Sequence, residues 1–184
     1  MAETYDLLSS YTVSAGAGDA TITLTGLSTD YDDLCLFVEG YSTSAGNSKV
    51  GLNFNSSSNT SWSQAIWKAM GSETVFSATS ENVWGGSGTV SLDECSWGYV
   101  SRESNYWFAF QFYINGYRNT NMPTEVVVSA LSIPTTAGQL VSGYGGYQWG
   151  ETTEVTSINL KVHDSAAAFA QNSTVRLYGI SNTV

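Results

Sequence analysis

The most regular alternation of side chains along the chain runs from Asn105 to Ile114. Taken alternately, one face carries Tyr106, Phe108, Phe110, Phe112 and Ile114. The other face carries Trp107, Ala109, Gln111 and Tyr113. A period of two in aromatic and β-branched residues is typical of a strand. We therefore predict that the first face is core. The second face is too aromatic for an ordinary solvent-facing side, so we predict that it lies under a loop or a neighbouring subunit.

Shorter alternating segments lie on both sides of this strand. Ala20–Thr25 places Ile22 and Leu24 on one side, and Leu34–Val38 places its three large aliphatic side chains on one side. Both patterns predict half-buried strands. Further strands are predicted at Tyr5–Ser14, Lys49–Asn55, Glu125–Leu131, Gln139–Trp149, Thr156–Val162 and Thr174–Ile180.

Two segments fit more than one type of structure. Trp62–Met70 fits both helical and strand spacing, and strand is favoured because its neighbours are strands. Gly71–Ser104 is long, polar and rich in glycine, which is typical of a functional region or of one with short strands of its own. The whole pattern predicts an all-β fold, an antiparallel β-sandwich of eight to ten strands that is jelly-roll-like. Residues 1–184 would form a single domain, with residues 1–15 as an N-terminal strand or an arm used in attachment.

Charge and composition exclude several classes of partner. Sixteen Asp and Glu face six Lys and Arg, which gives a net charge of −10. A chain with so few cations cannot form the basic face that nucleic acid or an anionic membrane requires. The sequence contains no apolar stretch of the ~20 residues that a membrane span needs, and its first residues lack the features of a signal peptide. We therefore expect no nucleic-acid partner, no membrane insertion and no Sec-type export, whereas sugars and proteins stay open as partners.

Cysteine and histidine are too scarce to support a metal centre or a disulfide framework. The chain has two cysteines, Cys35 and Cys95, and one histidine. Cys35 lies inside an apolar strand, which favours a free, packed thiol over a bridge. His163 follows Val162 in strand alternation and is predicted to point away from the core. No nucleophile elbow accompanies it, so a Ser/His/Asp site is not expected.

One acidic cluster has two interpretations. Asp30, Asp32 and Asp33 would suit Ca²⁺, yet they lack the Gly and Glu spacing of an EF-hand loop. Aspartates also cap turns through their own backbone, and this second interpretation is favoured. We expect no metal and no cofactor.

Aromatic residues within polar, glycine-rich segments are the better functional candidates, because aromatic rings stack on sugars and anchor protein interfaces. Together with the second face of the aromatic strand, the interface or glycan-binding candidates are Trp62, Trp84, Trp97, Tyr99, Trp107, Tyr113, Tyr144, Tyr147 and Trp149. The alternative is that each ring caps an end of the sandwich. The acids beside aromatics are Asp93, Glu94 and Glu151. A glycan-degrading enzyme would need two such acids within about 10 Å in a cleft, and we do not expect an enzyme.

Five segments, in the right order along the whole chain, resemble small virion proteins of tailed phages, especially those of marine and cyanobacterial viruses. The segments are Tyr5–Ser10, Thr29–Leu36, Leu52–Asn55 with Ser61–Ser63, Trp149–Leu160 and Phe169–Ile180. The ending, Phe169–Ile180, resembles theirs most closely.

This resemblance implies a jelly-roll module displayed on the virion, made in the cytoplasm of a host bacterium, with no catalytic residues. The expected function is decoration or cementing of the capsid surface as a homo-oligomer, a trimer, in contact with the major capsid protein or other virion proteins. The chain has no heptads or long stalk such as a fibre needs, which favours the head. The alternative is a receptor- or glycan-binding module of a tail or fibre appendage, with a host surface glycan as partner.

Overall fold

The computed structural model describes residues 4–16, 18–43, 49–56, 61–70, 73–84, 107–132, 141–163 and 168–181. Eleven strands are defined there: β1 Thr4–Thr12, β2 Thr21–Thr25, β3 Asp33–Tyr41, β4 Lys49–Phe54, β5 Ser61–Met70, β6 Glu73–Trp84, β7 Trp107–Asn115, β8 Glu125–Ser132, β9 Val141–Trp149, β10 Ser157–His163 and β11 Thr174–Ser181. The strand interpretation of Trp62–Met70 is confirmed. In the described part of the chain, no helix is long and apolar enough to cross a membrane.

The strands form two antiparallel sheets. The larger sheet contains β1, β11, β3, β7, β8 and β9 in this order, and the smaller contains β2, β10 and β4. These nine strands make a β-sandwich, which confirms the predicted fold class. Strands β5 and β6 continue the larger sheet beyond β9. The N-terminal segment is a strand of the sheet, because β1 pairs along its length with β11.

The pairing of the strands is nested. The first strand pairs with the last, β2 pairs with β10, and β3 pairs with β7. Strands β11 and β10 each take a second partner, β3 and β4 respectively. The chain crosses from one sheet to the other at each step from β1 to β4 and again from β9 to β11, whereas β5 to β9 stay in the larger sheet.

The core lies between the two sheets and follows the alternation of each strand. The burial of β7 alternates along its whole length, with Phe108, Phe110, Phe112 and Ile114 buried. Tyr106, which we predicted to share this face, lies outside the described residues. The inward positions of β2 and β3 are also as predicted: Ile22, Leu24, Leu34, Leu36 and Val38. Side chains of both sheets form a single buried cluster, which is what joins the layers.

Backbone bonds fasten the connections at each end of the sandwich. At one end, Asp19 and Phe169 exchange both backbone hydrogen bonds, at 3.1 and 2.9 Å. Gly18 beside them has a φ of +84°, and a Cβ there would lie 2.5 Å from the carbonyl oxygen of Phe169, so this close approach requires glycine. At the other end, the Tyr117 hydroxyl donates to the Ser28 carbonyl, and the Val155 N–H donates to the Tyr117 carbonyl at 2.7 Å.

Candidate interaction surface

The second face of β7 belongs to the outward side of the larger sheet. Trp107, Ala109, Gln111 and Tyr113 alternate with the buried phenylalanines and are half-buried. They lie beside the outward residues of β3 on one side and of β8 on the other. The aromatic character of β7 therefore continues onto its neighbours.

The strand register arranges the outward side chains of six strands into rows, and the three complete middle rows together we call the outer face. The Tyr113 row contains Leu7, Tyr178, Cys35, Tyr113, Val127 and Gly146. The Gln111 row contains Ser10, Arg176, Phe37, Gln111, Ser129 and Tyr144. The Ala109 row contains Thr12, Thr174, Glu39, Ala109, Leu131 and Ser142.

The outer face is electrically neutral on a strongly acidic chain. Its charged side chains are Arg176 and Glu39, whose Nη2 and Oε1 atoms lie 2.9 Å apart. The Thr174 hydroxyl also donates to Glu39 Oε1, at 3.1 Å. The chain carries a net charge of −10, so its excess negative charge lies outside these three rows, and part of it borders them, at Asp33 and Glu125 of the next outward row. A neutral surface of this kind can contact another protein without unpaired charges facing each other at the contact itself.

Aromatic and apolar side chains are concentrated on the same side of the molecule. The Tyr178 ring meets Tyr5 and Phe37 edge-on, at centroid distances of 6.5 and 5.7 Å. Among the described residues, seven large apolar side chains are exposed, and five of them point outward from the larger sheet: Tyr5, Leu7, Tyr41, Leu131 and Tyr144. Clustered exposure of this kind marks contact surfaces, whereas scattered exposed residues do not.

A shallow hollow lies in the middle of the outer face, between β3, β7 and β8. Its volume is about 290 Å³, and its lining includes Phe37, Ala109, Gln111, Ser129 and Leu131. The hollow exists because small side chains of β7 and β8 lie between the larger Phe37 and Leu131. It offers apolar walls with one amide and one hydroxyl group, which suits an apolar side chain of a partner.

The Cys35 thiol is part of the outer face and is fully buried by its neighbours. Gln111 Nε2 donates to its Sγ at 3.4 Å. Burial raises the pKa of the Cys35 thiol, and the bond from Gln111 opposes this only in part. Cys35 is a free cysteine, as predicted, and such a thiol is packed rather than reactive. Cys95 lies outside the described residues.

The structure separates the predicted aromatic candidates into three groups. Trp107, Tyr113 and Tyr144 point outward from the larger sheet, and Tyr144 is 50% exposed. Tyr147 and Trp149 are 5% and 0% exposed, so the prediction that these two form an accessible surface is wrong. Trp149 instead packs edge-on against Phe54 of the smaller sheet, at 5.3 Å between ring centroids.

The third group lies beyond what the structure describes. Trp97 and Tyr99 are outside the described residues, and so are the side chains of Trp62 and Trp84, although the backbones of these two belong to β5 and β6. Asp93 and Glu94 are also outside the described residues, as is the side chain of His163.

Sequence reasoning missed most of the outer face beyond β7. Leu7, Phe37, Leu131 and Tyr178 were assigned to strands but not to a contact surface. The alternation of β3 was sufficient to find Phe37, because it lies between the inward Leu36 and Val38. Nothing in the sequence showed that these residues share rows with β7.

The acidic cluster lies at the end of the sandwich where Tyr117 is anchored. It borders an open pocket of about 340 Å³ lined by Tyr31, Asp32, Asp33, Gly116, Arg118 and Asn119. Asp33 Oδ1 accepts a bond from the Gly116 N–H at 2.8 Å, so this aspartate joins two connections of the sandwich that are distant in sequence, whereas the prediction had it cap its own turn. Within the described residues, no group of three or more His, Cys, Asp or Glu side chains is placed to hold a metal ion.

Comparison of the chain with protein-family models, with curated proteins and with solved structures finds no match.

Proposed function

We propose that this chain is a structural protein of a tailed-phage virion that decorates or cements the capsid surface as a homo-oligomer. The observation that carries the proposal is the outer face, a neutral, aromatic surface on an otherwise acidic β-sandwich. The resemblance of five segments to small virion proteins supplies the context: a protein assembled in the host cytoplasm, with the major capsid protein or sister subunits as partners.

The mechanism is passive and rests on burial of the outer face. Apolar area removed from water stabilises a contact by about 25 cal/mol per Å², and aromatic residues dominate such contacts. The acidic remainder of the surface stays in water and keeps separate particles apart by mutual repulsion. No step of this mechanism requires a cofactor, a metal or a catalytic side chain.

The test is the composition and the image of the purified virion. Mass spectrometry of particles banded in a density gradient is expected to find the chain in stoichiometric amounts. Electron microscopy is expected to place sandwich-sized density on the capsid surface. Absence of the chain from purified particles would contradict the proposal. Density confined to the tail or fibre would instead favour a tail or fibre module, the second candidate function described next.

The second candidate is a glycan-binding module of a tail or fibre appendage, and the end pocket favours it. The pocket combines a tyrosine ring with carboxylate, guanidinium and amide groups, the groups that contact sugar rings and hydroxyls. Asn119 Oδ1 accepts the N–H groups of Asn121 and Met122, at 2.8 and 3.2 Å, which fixes its orientation. Binding to a panel of bacterial surface glycans that Arg118→Ala abolishes would support this candidate; no binding at millimolar glycan would remove it.

A further inference from the structure

Gly146 on the outer face is not required by packing against the described residues of its own chain. A Cβ built on it meets no atom of these residues within 4 Å, and its φ lies outside the left-handed region that favours glycine. Glycine weakens a strand interior and is found at bulges, at tight bends and where a ligand or another backbone approaches closely. The register of β9 against β8 has no shift at Gly146, which excludes a bulge and favours close approach. The small size of this position therefore points to a partner above it.

The two most exposed large side chains of the outer face each have a small residue at the mirror position of their row. Leu7 of β1 shares its row with Gly146 of β9, and Tyr144 of β9 shares its row with Ser10 of β1. A surface on which large and small residues exchange places when the strand order is reversed is complementary to a copy of itself that is turned around.

We propose that the outer face is covered by a second copy of this chain, related by a two-fold axis that runs parallel to the strands between β3 and β7. Such an axis reverses the strand order and keeps the rows in register, so β1 lies over β9 of the second copy and β11 lies over its β8. The Leu7 side chain then projects toward Gly146 of the second copy, and Tyr144 projects toward Ser10 of the second copy. Packed sheets cross at about 30°, so each large side chain requires a recessed region opposite it rather than one matching atom.

The charges of the outer face favour this axis over one that runs perpendicular to the strands. With the axis parallel to the strands, Arg176 lies over Ser129 of the second copy and Glu39 lies over Ala109 of the second copy. A two-fold axis along the Gln111 row would instead place Arg176 over Arg176 of the second copy, which is unfavourable for two like charges. Each Arg176–Glu39 pair stays within its own chain, at 2.9 Å.

The size of the outer face is sufficient for a stable pair. Six strands spaced by about 4.8 Å and three rows spaced by about 6.8 Å cover roughly 600 Å² per copy. A pair then buries roughly 1,200 Å² in total, which is above the ~1,000 Å² that a specific interface needs. Contacts between identical patches of this kind give two-fold dimers, the commonest oligomers.

The decisive variant is Gly146→Phe, because a Cβ at this position meets none of the described residues within 4 Å and the backbone conformation does not require glycine. The matched control is Thr25→Phe, at an exposed position on the smaller sheet. Sedimentation velocity and light scattering are expected to show a dimer for the unmodified chain and for the control, and at least tenfold weaker association for Gly146→Phe. Circular dichroism and thermal melts of all three proteins check that each is folded.

A second variant, Leu7→Glu, tests the same contact if Gly146→Phe fails to fold. The Leu7 side chain is 57% exposed, so the folded chain can accept a charged side chain there. It is also expected to weaken the dimer at least tenfold. An unmodified chain that stays monomeric at 100 µM, forms a trimer, or dimerises equally well with Phe at position 146 would overturn the inference.

The inference rests on the proposed function, since it assigns the same contact face to a sister subunit. The proposed function and the dimer can be contradicted by different results. A dimer that is absent from purified virions would contradict the proposed function alone, and a monomer found in virions would contradict the inference alone.

Discussion

Asn55 and Asn172 share a left-handed backbone conformation, with φ values of +54° and +70°, but differ in what their side chains do. Asn55 Oδ1 accepts bonds from the Thr156 N–H at 2.7 Å and the Ser157 N–H at 3.2 Å, and its Nδ2 donates to the Glu154 carbonyl at 2.7 Å. For Asn172 the described residues offer only a backbone bond, from its N–H to the Val13 carbonyl at 3.0 Å.

We expect Asn55→Ala to lower the free energy of unfolding by about 3 kcal/mol, because it loses these bonds as well as the left-handed preference. Asn172→Ala loses only the preference of asparagine for the left-handed conformation, and we expect it to lower the free energy of unfolding by about 1 kcal/mol. Urea unfolding of both variants measures the difference. Asn55→Gly restores the backbone freedom without the bonds, so a Gly variant as stable as the unmodified chain would contradict this account.

Tyr117 makes the fold sensitive to alkaline pH. Burial raises the pKa of its phenol above the usual value, and the protonated hydroxyl donates to the Ser28 carbonyl. Because the folded-state pKa is the higher one, this stabilisation is complete below the unfolded pKa of about 10 and is lost as the pH rises through the folded pKa.

Tyr117→Phe is therefore expected to be about 1 kcal/mol less stable at pH 7, where it lacks the bond. Its stability is also expected to fall less steeply above pH 10 than that of the unmodified chain. Urea midpoints measured from pH 7 to 11 on both proteins isolate Tyr117, since Tyr11 and Tyr31 titrate in each. Parallel curves for the two proteins would show that Tyr117 is not the group responsible.

For single residues, the alternation along a strand could predict which side chains share a side of the sheet, but not which side is exposed to solvent. Tyr144 and Tyr147 are three residues apart in one strand, so they must point to opposite sides, and the structure exposes the first and buries the second. The prediction grouped them because both lie among glycines. Counting by twos along β9 would have separated them, but only the packed partner sheet shows which side is the core.

At the scale of elements, β7 is the strand that both the core and the outer face depend on. Phe108 is fully buried, and its neighbour Trp107 is half-buried on the outward side of the sheet, opposite Tyr41 and next to the Ala109 row of the outer face. The two aromatic residues thus differ in environment although they are adjacent in sequence.

Trp107→Ala is expected to weaken self-association about tenfold and to lower the free energy of unfolding by only about 1 kcal/mol. Phe108→Ala creates a core cavity and is expected to lower the free energy of unfolding by about 3–5 kcal/mol. Unfolding measured on dilute protein and association measured by sedimentation separate the two effects. If Trp107→Ala unfolds the chain as Phe108→Ala does, the second face of β7 is a further layer of core.

The strands themselves could be predicted, and their pairing could not. The inward sides of β2, β3 and β7 follow from alternation, because each side chain position is set within one strand. The rows of the outer face join residues as distant in sequence as Leu7 and Tyr178. Such a contact depends on the nested order of the whole sandwich, which leaves no trace in the pattern of either strand.

At the scale of the whole molecule, the nested pairing collects uncharged residues on one side and leaves the acidic excess elsewhere. Two copies that meet through the outer face each bring a net charge of −10, so their long-range interaction is repulsive. The contact itself joins neutral surfaces and contains no ion pair between copies.

Salt should therefore strengthen the dimer, in contrast to an interface held by opposite charges. Raising NaCl from about 20 to 300 mM shortens the screening length from roughly 20 to 6 Å, and the dissociation constant is expected to fall roughly threefold to tenfold as repulsion is screened. Sedimentation equilibrium at both salt concentrations measures this change, with Gly146→Phe as the control that stays monomeric in each. A dimer that weakens with added salt would show that charged groups outside the three rows hold the copies together, and the contact would then have to be moved away from the outer face.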